Sequence, residues 1–183
     1  MFLKFKNIIP TLLLSLCFTV TGHSADLPKA KEPVLYTSLG QSPDAKTVSV
    51  LGTRAKLNGD FKPLATAQDI VAAKTVFVTV GTSLKGFGSA GVNLDTETAR
   101  CDEIVKAAKA NGVYLVLVHI GGEGRRDNMT NLLLDKLSPQ ADAFIVYENG
   151  NGDGYFNKTA GDKPLVLTPK TLDIVKVLES IKP

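Results

Sequence analysis

Apolar stretches alternate with amphipathic stretches along most of the chain. Two runs, 75–80 and 113–120, are apolar or β-branched at nearly every position, which is typical of strands buried on both faces of a parallel sheet. Between them, residues 95–111 carry apolar side chains at helical spacing and end at Asn111-Gly112, a common helix stop signal. Strands separated by such helices predict βαβ units.

The same patterns predict the other elements. We expect further strands at 34–39, 143–147 and 165–167, a weak edge strand at 61–64, and further helices from Ser42-Pro43 to about 55, at 66–73, at 127–137 and from Thr168-Pro169 to 181. The order predicts an α/β fold: one doubly wound, mainly parallel sheet of five or six strands, flavodoxin-like or Rossmann-like, with helices on both faces.

The first 25 residues have the pattern of a secretory signal peptide. Lys4 and Lys6 precede an apolar stretch at 8–20, which is shorter than the ~20 residues that span a bilayer. Small and polar residues follow at 21–25, and we expect cleavage near Ala25. The prediction is a periplasmic or secreted protein with a signal peptide at 1–25, a flexible leader at 26–32 and a single α/β domain at 33–183, with no membrane span after signal removal.

Composition narrows the classes of function. The formal net charge of +3, without a Lys/Arg-rich run, argues against a nucleic-acid partner. Without the signal peptide one cysteine remains, Cys101, and His119 is the one histidine. This set excludes an internal disulfide and the usual zinc sites. We expect neither a metal nor a cofactor.

Long, polar, glycine-rich loops are predicted at one edge of the sheet. They follow the strands at 38–42, 81–91, 119–127 and 148–156, whereas the opposite loops, such as 58–60 and 111–112, are short. In such sheets ligands bind beyond the carboxyl ends of the strands. The predicted ligand contacts are Ser38, Gln41, Ser42, Thr82, Ser83, Lys85, His119, Arg125 and Arg126.

These residue types favour a small polar or anionic ligand. Arg125 and Arg126 can hold a carboxylate or phosphate with forked hydrogen bonds, and the helix start at Ser42 offers free N–H groups. We interpret 81–91 as a lid-like loop that carries Lys85 towards the ligand. Glu123, Asp127 or Glu148 would instead neutralise the arginines in a purely structural arrangement, and one arginine is expected to face inward.

Two other classes of function stay open. A hydrolase would use His119 as a base with Ser38 or Ser83 as the nucleophile. A protein-interaction module, such as an accessory subunit of a membrane transport system, would need no small ligand. The sequence departs from two cofactor-binding motifs. Leu39 replaces a hydroxyl residue of a flavin phosphate loop, which argues against a flavin. Ala160 stands where a calcium loop starting at Asn149 needs Glu, which argues against calcium.

Three of these loops together resemble a known group of proteins. The segments 81–91 (GTSLKGFGSAG), 119–126 (HIGGEGRR) and 148–154 (ENGNGDG) are similar to those of an uncharacterised bacterial family of exported single-domain proteins of unknown function. The resemblance covers about Pro33 to Leu178. It implies an exported α/β domain and assigns no activity and no catalytic residue.

Overall fold

A computed structural model describes residues 27–183; the predicted signal peptide and its cleavage site lie outside them. The strands are β1 (Val34–Leu39), β2 (Asp60–Phe61), β3 (Thr75–Val80), β4 (Tyr114–His119), β5 (Ala143–Tyr147) and β6 (Leu165–Thr168). The helices are α1 (Asp44–Arg54), α2 (Ala67–Ala72), α3 (Leu84–Ala90), α4 (Leu94–Asn111), α5 (Asn128–Leu137), α6 (Tyr155–Ala160) and α7 (Ile174–Ile181). No helix in this part of the chain is long and apolar enough to cross a membrane.

The six strands form one parallel sheet in the order β2-β1-β3-β4-β5-β6. The predicted α/β fold is therefore confirmed, and the sheet is consistent with a doubly wound, flavodoxin-like or Rossmann-like arrangement. The strand order reverses between β1 and β3, because the chain first runs outward to β2 and then returns. In open α/β sheets this switch point is where a ligand crevice is expected.

Alternate residues of each strand enter two separate cores. Leu39, Val80 and Leu117 face a core that contains Ile104 of α4 and Leu133 of α5. Tyr36, Phe77 and Val118 face the other core, with α1 and α7, which contribute Val48, Leu51, Ile174 and Leu178. Because both faces are covered, the strands are apolar at nearly every position, and residues of odd and even number on one strand lie on opposite sides of the sheet.

Four elements differ from their prediction. The edge strand β2 covers 60–61 rather than 61–64. The prediction of a lid-like loop at 81–91 is wrong, because helix α3 occupies this segment. Ser83 caps the helix by accepting a hydrogen bond from the Gly86 amide, and Phe87 is buried beneath it. Helix α6 replaces the end of the predicted 148–156 loop. The last helix begins at Ile174, after a 3-10 turn at 171–173, rather than at Thr168-Pro169.

The chain before β1 packs against the domain. Ala30 is buried, and its amide donates to the Ile181 carbonyl at 2.7 Å. The Lys31 amide donates to Thr75 Oγ1 at 2.8 Å. The described part of the expected flexible leader, 27–32, is thus held between α7 and the start of β3.

Candidate functional site

The switch point between β1 and β3 is closed by the chain itself. Gln41 and Thr82 form an isolated antiparallel bridge. On either side of it, the Ser42 amide donates to the Gly81 carbonyl at 3.1 Å and the Ser83 amide to the Gly40 carbonyl at 2.9 Å. The two loops therefore satisfy each other's backbone groups at the place where a crevice was expected.

This closure depends on close backbone approach at Gly40. Its φ is +98°, and a Cβ there would lie 2.5 Å from the Gly81 carbonyl oxygen. Gln41 follows with φ 59°, a conformation that residues other than glycine adopt at a cost. Side-chain contacts of Gln41 hold it there.

A buried carboxylate occupies the loop after β1. Glu97 of α4 is fully buried and accepts from the Gly40 amide at 2.7 Å and from Gln41 Nε2 at 3.1 Å. Arg100 donates to it through Nε and Nη2, both at 2.8 Å. Burial raises the pKa of Glu97, but the hydrogen bonds and charge of Arg100, with those of Gly40 and Gln41, outweigh it and lower the pKa overall. The protein's own carboxylate thus takes the Gly40 amide and the Gln41 side-chain amide, and Gln41 is one of the predicted ligand contacts.

A second ion pair covers the ends of β3 and β4. Arg125 Nη1 donates to the Thr82 carbonyl at 2.9 Å, and its Nε lies 3.5 Å from Asp44 Oδ2. A Cβ at Gly121 would overlap the Arg125 side chain at 2.2 Å and approach Asp44 Oδ2 at 2.9 Å. Glycine at 121 therefore lets Arg125 lie across the strand end, where it fills more of the switch point.

Thr82 also has protein partners. Its hydroxyl contacts the Asp127 carboxylate at 2.9 Å and Thr130 Oγ1 at 2.8 Å, and its amide donates to Thr130 Oγ1 at 3.0 Å. Asp127 caps α5 at the same time. Burial raises the pKa of Asp127, while its hydrogen bonds to Thr130 and Thr82 lower it overall.

The structure separates the residues of the predicted hydrolase. His119 is fully buried, with Nδ1 3.0 Å from the Val80 carbonyl and Nε2 3.3 Å from the Gly122 carbonyl. Ser38 lies on the opposite side of the sheet, on the side of Tyr36, and Ser83 caps α3. No hydrogen bond joins His119 to either serine within residues 27–183.

The environment of His119 favours its neutral form. Burial lowers its pKa, and the Val80 and Gly122 carbonyls only partly offset this. The ring stacks on Phe156, with centroids 5.5 Å apart. His119 therefore anchors the strand end and the loop that follows.

An open cavity lies two strands further from the switch point along the same edge. Its volume is about 570 Å³, and it lies between the loop after β4 and the loop after β5. Its lining residues are Glu123, Arg126, Asn149, Gly150, Gly152 and Asp153. Of the nine predicted ligand contacts, Arg126 lines this cavity, whereas the other eight are not among its lining residues.

Arg126 is the inward-facing arginine of the pair. Its side chain is 11% exposed, against 32% for Arg125. Its guanidinium carbon lies 4.7 Å from the ring centroid of Tyr155 and 5.3 Å from that of Phe156. Nη1 donates to the Gly150 carbonyl at 2.6 Å and Nε to Asn131 Oδ1 at 2.8 Å.

The counter-ion of Arg126 is exposed. Asp153 accepts from Arg126 Nη2 at 2.9 Å and from Nη1 at 3.2 Å, and 58% of its side chain is exposed. Asp44 and Asp153, rather than the expected Glu123, Asp127 or Glu148, neutralise the arginines. The loop at 149–153 belongs to the predicted polar edge, but its lining residues are not among the nine predicted contacts.

Lys85, which was expected to reach towards the ligand, is exposed on α3 and is not among the residues that line the cavity. Within residues 27–183 no three His, Cys, Asp or Glu side chains are grouped so as to hold a metal ion.

A family model described as a domain of unknown function, DUF6305, matches residues 31–181. The chain belongs to this family. The match covers all six strands and all seven described helices of the DUF6305 domain. No curated protein and no solved structure matches the chain. The family is uncharacterised, so the geometry described above is the basis for any functional assignment.

Proposed function

We propose that this DUF6305 domain binds a small polar molecule with an anionic group in the cavity between residues 123–126 and 149–153. The observation that carries the proposal is the guanidinium of Arg126, which is held rigidly by the protein while its counter-ion, Asp153, is exposed to solvent. A ligand carboxylate or phosphate would replace Asp153 on the same two nitrogens.

The position of Arg126 does not depend on Asp153. The Gly150 carbonyl, Asn131 and the Tyr155 and Phe156 rings fix the guanidinium from its other sides. A group that is already in place loses little conformational entropy on binding, which favours affinity.

Asp153, by contrast, is an exchangeable partner. Because 58% of its side chain is exposed, a displaced Asp153 carboxylate regains its hydration, which offsets part of the loss of its hydrogen bonds to Arg126. The cavity volume of about 570 Å³ lies within the range of roughly 300–1,000 Å³ that is usual for small-molecule sites.

We further propose that the protein acts in the periplasm or outside the cell. The support is the amino-terminal pattern of Lys4 and Lys6, the apolar stretch 8–20 and the small residues before Asp26. Fractionation of expressing cells tests this: mature protein is expected outside the cytoplasm, and full-length protein retained in the cytoplasm would contradict it.

A thermal-shift screen tests the binding proposal. The probes are phosphate, malonate, citrate and ribose 5-phosphate, with ribose as the neutral counterpart of the last. At one hundred times its Kd a ligand stabilises by about 2.7 kcal/mol, which corresponds to about 5–10 °C for a domain of this size. We expect such a shift with at least one anion, and a smaller shift with ribose than with ribose 5-phosphate.

Matched variants assign that shift to the cavity. Arg126→Lys keeps the positive charge but loses the two parallel hydrogen bonds that a guanidinium can donate. We therefore expect the apparent Kd of the ligand to rise at least tenfold, which reduces the thermal shift at a given ligand concentration. Arg54→Lys, at the exposed end of α1, is the control and should bind like the parent. Equal shifts in parent and Arg126→Lys would overturn the proposal, as would a flat response both to these anions and to amino acids that carry a carboxylate.

A further inference from the structure

We propose that the ligand is a zwitterion, carrying a cationic group such as an ammonium as well as the anionic group. The inference rests on the proposed function, since it concerns the same cavity. It follows from the balance of charges around that cavity.

Two carboxylates and one guanidinium line the cavity. Arg126 pairs with Asp153, Glu123 is the second lining carboxylate, and the remaining lining residues, Asn149, Gly150 and Gly152, are uncharged. The Glu123 side chain is exposed and makes no ion pair or hydrogen bond with any residue of 27–183. One of the two acids is therefore without a protein cation even before a ligand binds.

Binding of an anion increases this imbalance. When a ligand carboxylate takes the two Arg126 nitrogens, Asp153 loses its partner, and three negative groups then share one guanidinium. Like charges at short range repel, so a simple anion binds against the field of Glu123 and Asp153. A cationic group on the same ligand would take Asp153 or Glu123 as its partner and remove the repulsion.

The other cationic side chains at this edge of the sheet do not neutralise the excess negative charge of the cavity. Arg125 points to the Thr82 carbonyl and Asp44, and Lys85 is not among the lining residues. A dianion would therefore find no second positive group in the cavity. This distinguishes a zwitterion from a dicarboxylate or a bisphosphate as the expected class.

Both acids are carried by loops that are fixed to each other. The Glu123 amide donates to Asn149 Oδ1 at 2.9 Å. Gly122, with φ +65°, leaves room for that contact, since a Cβ would lie 2.5 Å from Asn149 Oδ1. Asp153 accepts from the Tyr155 amide at 3.1 Å, at the start of α6. The Asp153 carboxylate and the backbone that carries Glu123 thus have defined places on the two walls of the cavity.

Compounds with a shared carbon skeleton test the inference by calorimetric titration of the purified protein. The sets are butyrate, 4-aminobutyrate and butylamine; propionate and alanine; and glutarate and glutamate, all at equal ionic strength. We expect at least one amino acid to bind with a Kd at least tenfold lower than that of the carboxylate with the same skeleton. Arg126→Lys should weaken it, as the proposed function requires.

Variants of the acids separate this inference from the proposed function. Glu123→Gln and Asp153→Asn, alone or together, should reduce the advantage of the amino acid over its matched carboxylate. Glu103→Gln, on the exposed side of α4, should not. Tighter binding of glutarate or butyrate than of the amino acids would overturn the zwitterion inference and leave anion binding intact. Absence of binding by every compound of both panels would overturn both.

Discussion

Replacing Glu97 with alanine should destabilise the domain by removing the acceptor that holds the β1 loop. The change leaves the Gly40 amide without its partner at 2.7 Å and removes two 2.8 Å hydrogen bonds from Arg100. Breaking a buried ion pair on one side typically costs 3–5 kcal/mol. The Arg100 side chain is 13% exposed and keeps the Ser38 and Ala65 carbonyls, so we expect the lower end, about 3 kcal/mol.

Urea unfolding followed by circular dichroism measures this loss directly. In thermal unfolding of the same variants, a cost of about 3 kcal/mol corresponds to a fall in Tm of about 6–12 °C for a domain of this size. Glu97→Gln, which keeps an acceptor oxygen and loses the charge, should lie between the parent and Glu97→Ala. Glu103→Ala, at an exposed position of the same helix, should stay within about 0.5 kcal/mol of the parent. A Glu97→Ala value within that range would refute the reasoning.

The pH dependence of the free energy of unfolding tests whether Glu97 stabilises the domain in its ionised form. Because the folded-state pKa of Glu97 is lowered, its contribution to stability is present above the usual carboxyl pKa of about 4.3 and is lost as pH falls below it. The difference between parent and Glu97→Ala should therefore shrink between about pH 5 and pH 3. A difference that grows on acidification would contradict the assignment.

Two further predictions concern α3 and the end of β4. In α3, Gly86→Ala should destabilise the domain, because the added Cβ would lie 2.0 Å from the Gln41 carbonyl oxygen. Gly88→Ala, where a Cβ would meet no atom within 4 Å, should stabilise it by about 0.5–1 kcal/mol. Thermal unfolding compares the two variants, and equal effects would argue against the packing of Gly86 on Gln41. Burial lowers the pKa of His119 despite its carbonyl partners. On acidification the unfolded chain is therefore protonated at this histidine before the folded protein is. The free energy of unfolding should fall as the pH drops from about 7 to 5.5. His119→Asn should flatten that fall in urea titrations, and an unchanged slope would exclude His119 as its source.

Elements defined by burial were predictable from sequence, whereas those that depend on a single distant contact were not. The strands at 34–39, 75–80 and 143–147 have their predicted bounds, because burial on both faces leaves an apolar residue at nearly every position. Helix α3 is absent from the prediction because its two glycines, and a third directly after it, favour a loop. The Ser83 cap and the burial of Phe87 outweigh that preference.

The edge that carries the candidate site was also predictable, since the long polar loops follow the strands and parallel strands end at one edge. The particular contacts were not. Gln41 pairs with Glu97 across 56 positions of sequence, and Arg126 with Asp153 across 27. No local pattern indicates such pairs. The inward orientation of one arginine was expected, but which of the two faces inward depends on the Tyr155 and Phe156 rings packed beneath Arg126.

The location of the site is best tested by backbone amide NMR during titration with the anions and amino acids of the two panels. The account predicts that shift changes concentrate at 122–126 and 149–153, on the two walls of the cavity. The amides of Gly40–Ser42 and Thr82–Ser83 should change least, because those of Ser42 and Ser83 donate to carbonyls of the facing loop, that of Gly40 to Glu97 and that of Thr82 to Thr130. Changes centred on 40–42 and 82–85, or no change with any compound, would contradict it.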